Sequence, residues 1–278
     1  MWLLVEQKPD DKSNIALVAQ SEIAESEVKR VRDCFLFANS YATVKIAQDI
    51  AMRNGRVLQQ HMEPANLLKY QRDEKTDNAA IVANQHVLNY ATSIKTFIDV
   101  TERQLRLTRN EQDLQQYQAA QSHLYDNHVE YRFWMRLRNF VVHCGFPYTQ
   151  VTASADGVKV LCSKKRLLEY NKWNQVKHDI EAMGEYIELD KMIYEMNVCL
   201  MALRLEFVGI YADEITAATR IYGSFCREHS VERPLFVEVA KREDFGHGHF
   251  SFNPLPVKSL QEAVKDLQHN PHIKLNII

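Results

Sequence analysis

Glycine and proline are scarce in this chain, eight and seven in 278 residues, so little interrupts it and helix is expected to dominate. The five cysteines, Cys34, Cys144, Cys162, Cys199 and Cys226, are odd in number and widely spaced, with no C-x-x-C pair. That pattern fits a reducing cytosol and gives a cytoplasmic expectation. A strong charge of either sign is also missing. The formal net charge is −2, which lacks the basic bias of a constitutive nucleic-acid coat protein and confines any polyanion site to a local patch. The amino terminus has no leading basic region before a short apolar stretch that soon meets Lys8, Asp10 and Asp11, so no signal peptide is read. The longest apolar segment, Met192 to Ala212, is interrupted by Glu195, Arg204 and Glu206, each costly in a bilayer centre. A buried helix is expected there, with Met192, Met196 and Met201 in the core, and no membrane partner. Neither an internal repeat nor a low-complexity tract is present.

What is present is 46% hydrophobic residues, enough for one large or two modest domains. Trp2 to Val5 and Ile15 to Val18 read as a short hairpin. Helix is then expected from Ser21, as a cap, to about Arg53, with Asn54-Gly55 as the stop. Residues 63–78, with Pro64, read as a connection. A helix is expected from Asn78 to Leu107 and a third from Asn110 to His143, ended by Gly145-Phe146-Pro147. A β-hairpin turning at Ala155-Asp156-Gly157 follows, then helix from Asn171 to His229. The last fifty residues alternate like strands at 234–239 and 249–252. Ser259 to Gln268 reads as a helix and His272 to Ile278 as a closing strand. The expected organisation is a 1–70 helical and strand region, a helical bundle over 78–229 and a small α/β region over 230–278, mostly α in class.

One segment carries chemistry. Leu137-Arg138-Asn139-Phe140-Val141-Val142-His143-Cys144-Gly145-Phe146-Pro147 lies at the predicted end of the third helix. Four residues separate Arg138 from His143, which on an ideal helix leaves the two side chains roughly 140° apart. A site using both requires either a distortion at the helix end or a second copy of the segment facing the first. Between His128 and His178, nine Lys or Arg stand against three acids, an excess of six in a chain whose total is negative. Tyr131, Trp134, Tyr148, Tyr170 and Trp173 are interleaved with them, as stacking surfaces for bases or as core.

The Arg, polar residue, three residues, His pattern resembles the active-site motif of the HEPN superfamily of helical bundles. The longer segment also resembles a group of uncharacterised bacterial proteins with Leu-Arg-Asn-Tyr, then His, Gly and Pro. The resemblance rests on about a dozen residues, with a similar helical layout from Asn78 to His229. It implies metal-independent, cofactor-free cleavage of RNA by attack of the ribose 2′-OH on the adjacent phosphate. In that chemistry His143 moves protons, Arg138 holds phosphate oxygens, and Asn139 orients His143 or a phosphate. Arg132, Arg136, Lys164, Lys165 and Arg166 are the expected RNA-binding residues. The resemblance further implies a homodimer, an antitoxin or other regulatory protein as partner, and a role in stress response or phage defence.

Plainer readings stand beside these. Arg138 and His143 also suit a surface salt bridge and a hydrogen bond to the helix carboxyl end, and Lys164-Lys165-Arg166 suits a solvated face. His247-Gly248-His249 suits a polar turn better than a metal site, lacking a second ligand pair, and Cys144 suits packing better than a nucleophile. A non-catalytic module binding a nucleotide, an RNA or a protein is the alternative to the ribonuclease. A scaffold assembling through its carboxy-terminal strands is a third reading.

Overall fold

A computed structural model describes residues 1–9, 15–72, 76–154, 157–271 and 273. The chain is mostly α. It opens with β1 (Trp2–Pro9), β2 (Ile15–Ile23), α1 (Glu25–Asp33), α2 (Leu36–Met62) and α3 (Pro64–Arg72). Next come α4 (Thr76–Thr108), α5 (Glu111–Asn127), α6 (Val129–His143), β3 (Tyr148–Ser154), β4 (Gly157–Cys162), α7 (Lys164–Leu168) and α8 (Val176–Ala182). A 3-10 turn at Leu189–Met192 leads into α9 (Ile193–Ile210) and α10 (Ala212–Glu228). The chain ends with β5 (Pro234–Glu238), α11 (Arg242–Gly246), β6 (Ser251–Phe252) and α12 (Val257–Gln268).

Two compact units result, one of residues Met1–Ala42 with Val208–Ile278 and the other of Thr43–Phe207. In the first, the strands form one sheet in the order β2-β1-β5-β6, with neighbouring strands antiparallel. Leu3, Val5, Leu235, Val237 and Val239 make a buried cluster on one face of β1 and β5. Leu4 and Phe236 are buried on the other face, where Phe236 meets Phe225 of α10 edge-on at 5.5 Å. A strand buried on both faces reads as a continuous apolar run, as Leu3-Leu4-Val5 does. The three consecutive segments expected from the sequence are therefore joined differently: β5 from the carboxy-terminal region pairs with β1, placing the two ends of the chain in one unit.

The second unit holds the helical bundle and the β3/β4 hairpin. Helices α4 and α5 are joined at Asn110, whose side chain accepts from the Asp113 N–H and caps α5. Helix α6 packs on α4, α5 and α8, while β3 lies on α4 and β4 on α3. Asn84 fixes the hairpin to α4, donating to the Tyr148 carbonyl at 2.7 Å and accepting from the Tyr148 N–H at 3.0 Å. Gly157, at φ +121°, takes a conformation that favours glycine as β4 begins; Ala155 and Asp156 of the expected turn lie outside the described residues.

Several helix boundaries differ from expectation. Ser21 and Glu22 lie in β2, where Ser21 pairs with Leu4, and α1 begins after Ala24. Asn54-Gly55 does not stop α2, because Gly55 is where α2 comes close to two neighbours. A Cβ there would lie 2.9 Å from Ile193 Cγ2 and from a Tyr90 ring carbon. The connection over 63–78 is partly helix, with Pro64 as the first residue of α3, where its missing N–H costs nothing. The expected third helix is two, α5 and α6, separated at His128 in an extended conformation. Arg132 stabilises that break by donating to the Tyr125 and Asp126 carbonyls at 3.3 and 3.2 Å. Of the expected strand His272–Ile278, only Ile273 is among the described residues, and it is not in a strand.

Candidate active site

Helix α6 is built by one apolar stripe. Tyr131, Phe133, Trp134, Leu137, Phe140 and Val141 are buried at helical spacing. Phe133 and Phe140 each stack on Trp173 at 5.7 Å between ring centroids. Arg132, Arg136, Arg138 and Asn139 remain partly exposed, and Val142 and His143 are exposed. The interleaved aromatics are thus core: Tyr131, Trp134, Tyr148, Tyr170 and Trp173 are all buried, leaving no face for a base.

The end of α6 is held by residues outside the motif. The Cys144 N–H donates to the Phe140 carbonyl at 2.8 Å, continuing the helical ladder past His143. Gly145 then turns at φ +118°. Arg166 of α7 donates to the Cys144 carbonyl at 3.0 Å and pairs with Glu169. The positive φ of Gly145, rarely adopted by residues with a side chain, accounts for glycine at this turn.

With the helix unbroken to His143, the distortion that would bring Arg138 and His143 together within one chain does not occur. They stand on different sides of α6, separated by the roughly 140° of ideal geometry. Arg138 reaches only its neighbour, Nη1 donating to Asn139 Oδ1 at a long 3.5 Å. Among the described residues, Arg138 has no ion pair and His143 no hydrogen bond. The plainer uses of these two side chains, a salt bridge and a cap on the helix end, are therefore not realised. Arg166 does the capping instead.

Most of the other expected RNA-binding residues are committed to the fold. Arg132 grips Asp179 through two nitrogens at 2.6 and 2.8 Å, with both side chains mostly buried. Arg136 donates to the Tyr125 hydroxyl at 3.2 Å. Lys164 donates to the Glu181 and Met183 carbonyls, closing the end of α8. Lys165 alone of the five is exposed and unpaired among the described residues, next to Arg166 on α7. The local positive excess shrinks accordingly, since Asp179 and Glu181, just beyond the counted segment, neutralise Arg132 and Lys177. Distant partners such as Asp179 carry no signal in the sequence near the motif.

The remaining candidates are quickly placed. Burial pushes the Cys162 thiol up to about 12 and the Cys199 thiol to about 11, keeping both protonated and poor nucleophiles. His247 and His249 are exposed, and among the described residues no three His, Cys, Asp or Glu are grouped to hold a metal ion. No described helix is long and apolar enough to cross a membrane. No protein-family model, curated protein or solved structure matches this chain.

Proposed function

We propose that the protein is a metal-independent endoribonuclease of HEPN type, with a site composed of Arg138 and Asn139 from one copy and His143 from another. One observation carries this reading. On a helix whose Arg132 and Arg136 are used to hold the fold, Arg138 meets only its neighbour Asn139 and the His143 side chain has no hydrogen bond among the described residues. A guanidinium and an imidazole kept free at a surface suit phosphate binding and proton transfer. The unbroken helix keeps them apart within a chain, which favours pairing across two copies. Val142 and Phe146, about half exposed on either side of His143, give apolar surface for such a contact.

In the proposed reaction His143 takes the proton of the ribose 2′-OH as that oxygen attacks the adjacent phosphorus. The 5′-oxygen leaves with a proton taken from water, giving a 2′,3′-cyclic phosphate and a 5′-OH, and His143 returns its proton to solvent. Arg138 stabilises the charge developing on the phosphate oxygens, and in this reading exposed Lys165 contributes positive charge toward the RNA backbone. The test is incubation of the protein in EDTA with labelled structured RNA and with the same sequence as DNA. Cleavage of RNA alone, leaving cyclic-phosphate ends, is expected. A protein that binds the RNA without cutting it would instead be the non-catalytic module.

A further inference from the structure

A second surface, within the unit of residues 43–207, is built from α2 and α9. The two helices run antiparallel. Gln59 Nε2 donates to the Asp190 carbonyl at 3.4 Å, Gly55 abuts Ile193, and Gln48 Nε2 donates to the Leu200 carbonyl at 2.9 Å. The α9 sequence is apolar almost all round, the composition of a helix covered on every side. It is not so covered here. Met196 is buried as expected, but Met201 is exposed, together with Tyr194 and Val198. Ile46, Ile50 and Val57 add to this from α2, and the six side chains are between 37% and 67% exposed. Their spacings, 46-50-57 and 194-198-201, are those of single helix faces. An apolar surface repeating in this way marks an interaction site.

Part of this surface is concave. A groove of about 750 Å³ is lined by Ile46, Ile50, Met52 and Met201, and edged by Arg53 and Arg56. Its carboxylate, Asp49, is engaged by Lys45 at 2.6 Å, whereas Arg53 and Arg56 have no ion-pair partner among the described residues. Arg204, engaged within the fold, also lines the groove. The apolar floor is therefore edged by the positive charge of Arg53 and Arg56, unpaired among the described residues. A second copy of the same surface would set like charge against like, and a flat lipid surface would not fill a concavity. An amphipathic helix with an apolar stripe and acidic flanks satisfies both floor and rim, and the two methionines can adapt to its side chains.

We propose that the α2/α9 groove docks an acidic amphipathic helix of a partner protein. The probe is a fluorescein-labelled synthetic helix of about 18 residues, with leucines on one stripe and glutamates elsewhere, followed by anisotropy with the full chain. Its counterpart has lysine for glutamate. The acidic helix is expected to bind, more weakly as salt rises, and the lysine helix not to bind. The exposed double variant Arg53→Glu/Arg56→Glu, checked for unchanged circular dichroism, is expected to lose at least about tenfold in affinity. Failure of the acidic helix to bind, equal binding of both peptides, or indifference to the charge reversal would overturn the proposal. So would light scattering that finds a dimer dissolved by Met201→Asp, or binding to phosphatidylserine vesicles without binding to the peptide.

Discussion

Arginines a few residues apart on α6 have opposite employment. Arg132 is held by Asp179 and two carbonyls, and removing it leaves a mostly buried carboxylate and a helix break without donors. Arg132→Ala is expected to lower stability by about 2 kcal/mol, read from the urea midpoint. His143→Ala, at an exposed and unpartnered position, should stay within about 0.5 kcal/mol of the parent. Equal losses would mean that His143 has a structural role. The motif was legible in sequence because its residues are contiguous. The commitment of Arg132, Lys164 and Arg166 was not, because their partners lie up to 47 residues away. A second pair has a titration consequence. His61 and His86 stand 5.3 Å apart between ring centroids, and burial holds both below the ordinary histidine range, with each other's charge adding to the effect on His86. Below about pH 6.5 the unfolded chain takes up protons that the folded pair resists. Stability should therefore be insensitive to this pair above that pH and fall as pH drops through it. Urea midpoints measured from pH 8 to pH 5 should decline less steeply in His86→Gln than in the parent. A steeper decline in that variant would contradict the account.

At the scale of elements, the legible parts are those where a local pattern and its packing agree. Val87, Tyr90, Ile94, Phe97 and Ile98 are buried at helical spacing on α4, where helix is expected from Asn78 to Leu107, and the hairpin around Gly157 is β3/β4. The departures arise where a residue with a familiar local use serves a tertiary one instead. Gly55 has the composition of a helix stop but serves a close crossing with Ile193 and Tyr90. Gly55→Ala should improve local helix propensity yet lower stability by about 1–3 kcal/mol, because those neighbours must move. Thermal unfolding decides the sign, and a rise in midpoint would mean that the crossing is loose. Ser21 departs from expectation for a related reason. A Ser-Glu pair reads as a helix start, but β1 pairs with β2 as far as Ile23 and carries both residues into the sheet.

For the whole molecule, the sheet β2-β1-β5-β6 joins residues more than 200 positions apart, a pairing that no local pattern announces. Composition foretold the mostly helical class, since few glycines and prolines leave long uninterrupted helices. The same regularity of α6 makes the proposed site depend on two copies. Mixing two inactive variants tests that dependence most directly. Arg138→Ala and His143→Ala should each abolish RNA cleavage in EDTA. When the two are combined and allowed to exchange subunits, half the dimers would be mixed and each would hold one intact composite site. Recovery of about a quarter of the parent activity is predicted. Cleavage by the parent with no recovery in the mixture would contradict the composite site, and absence of cleavage by the parent would contradict the ribonuclease itself.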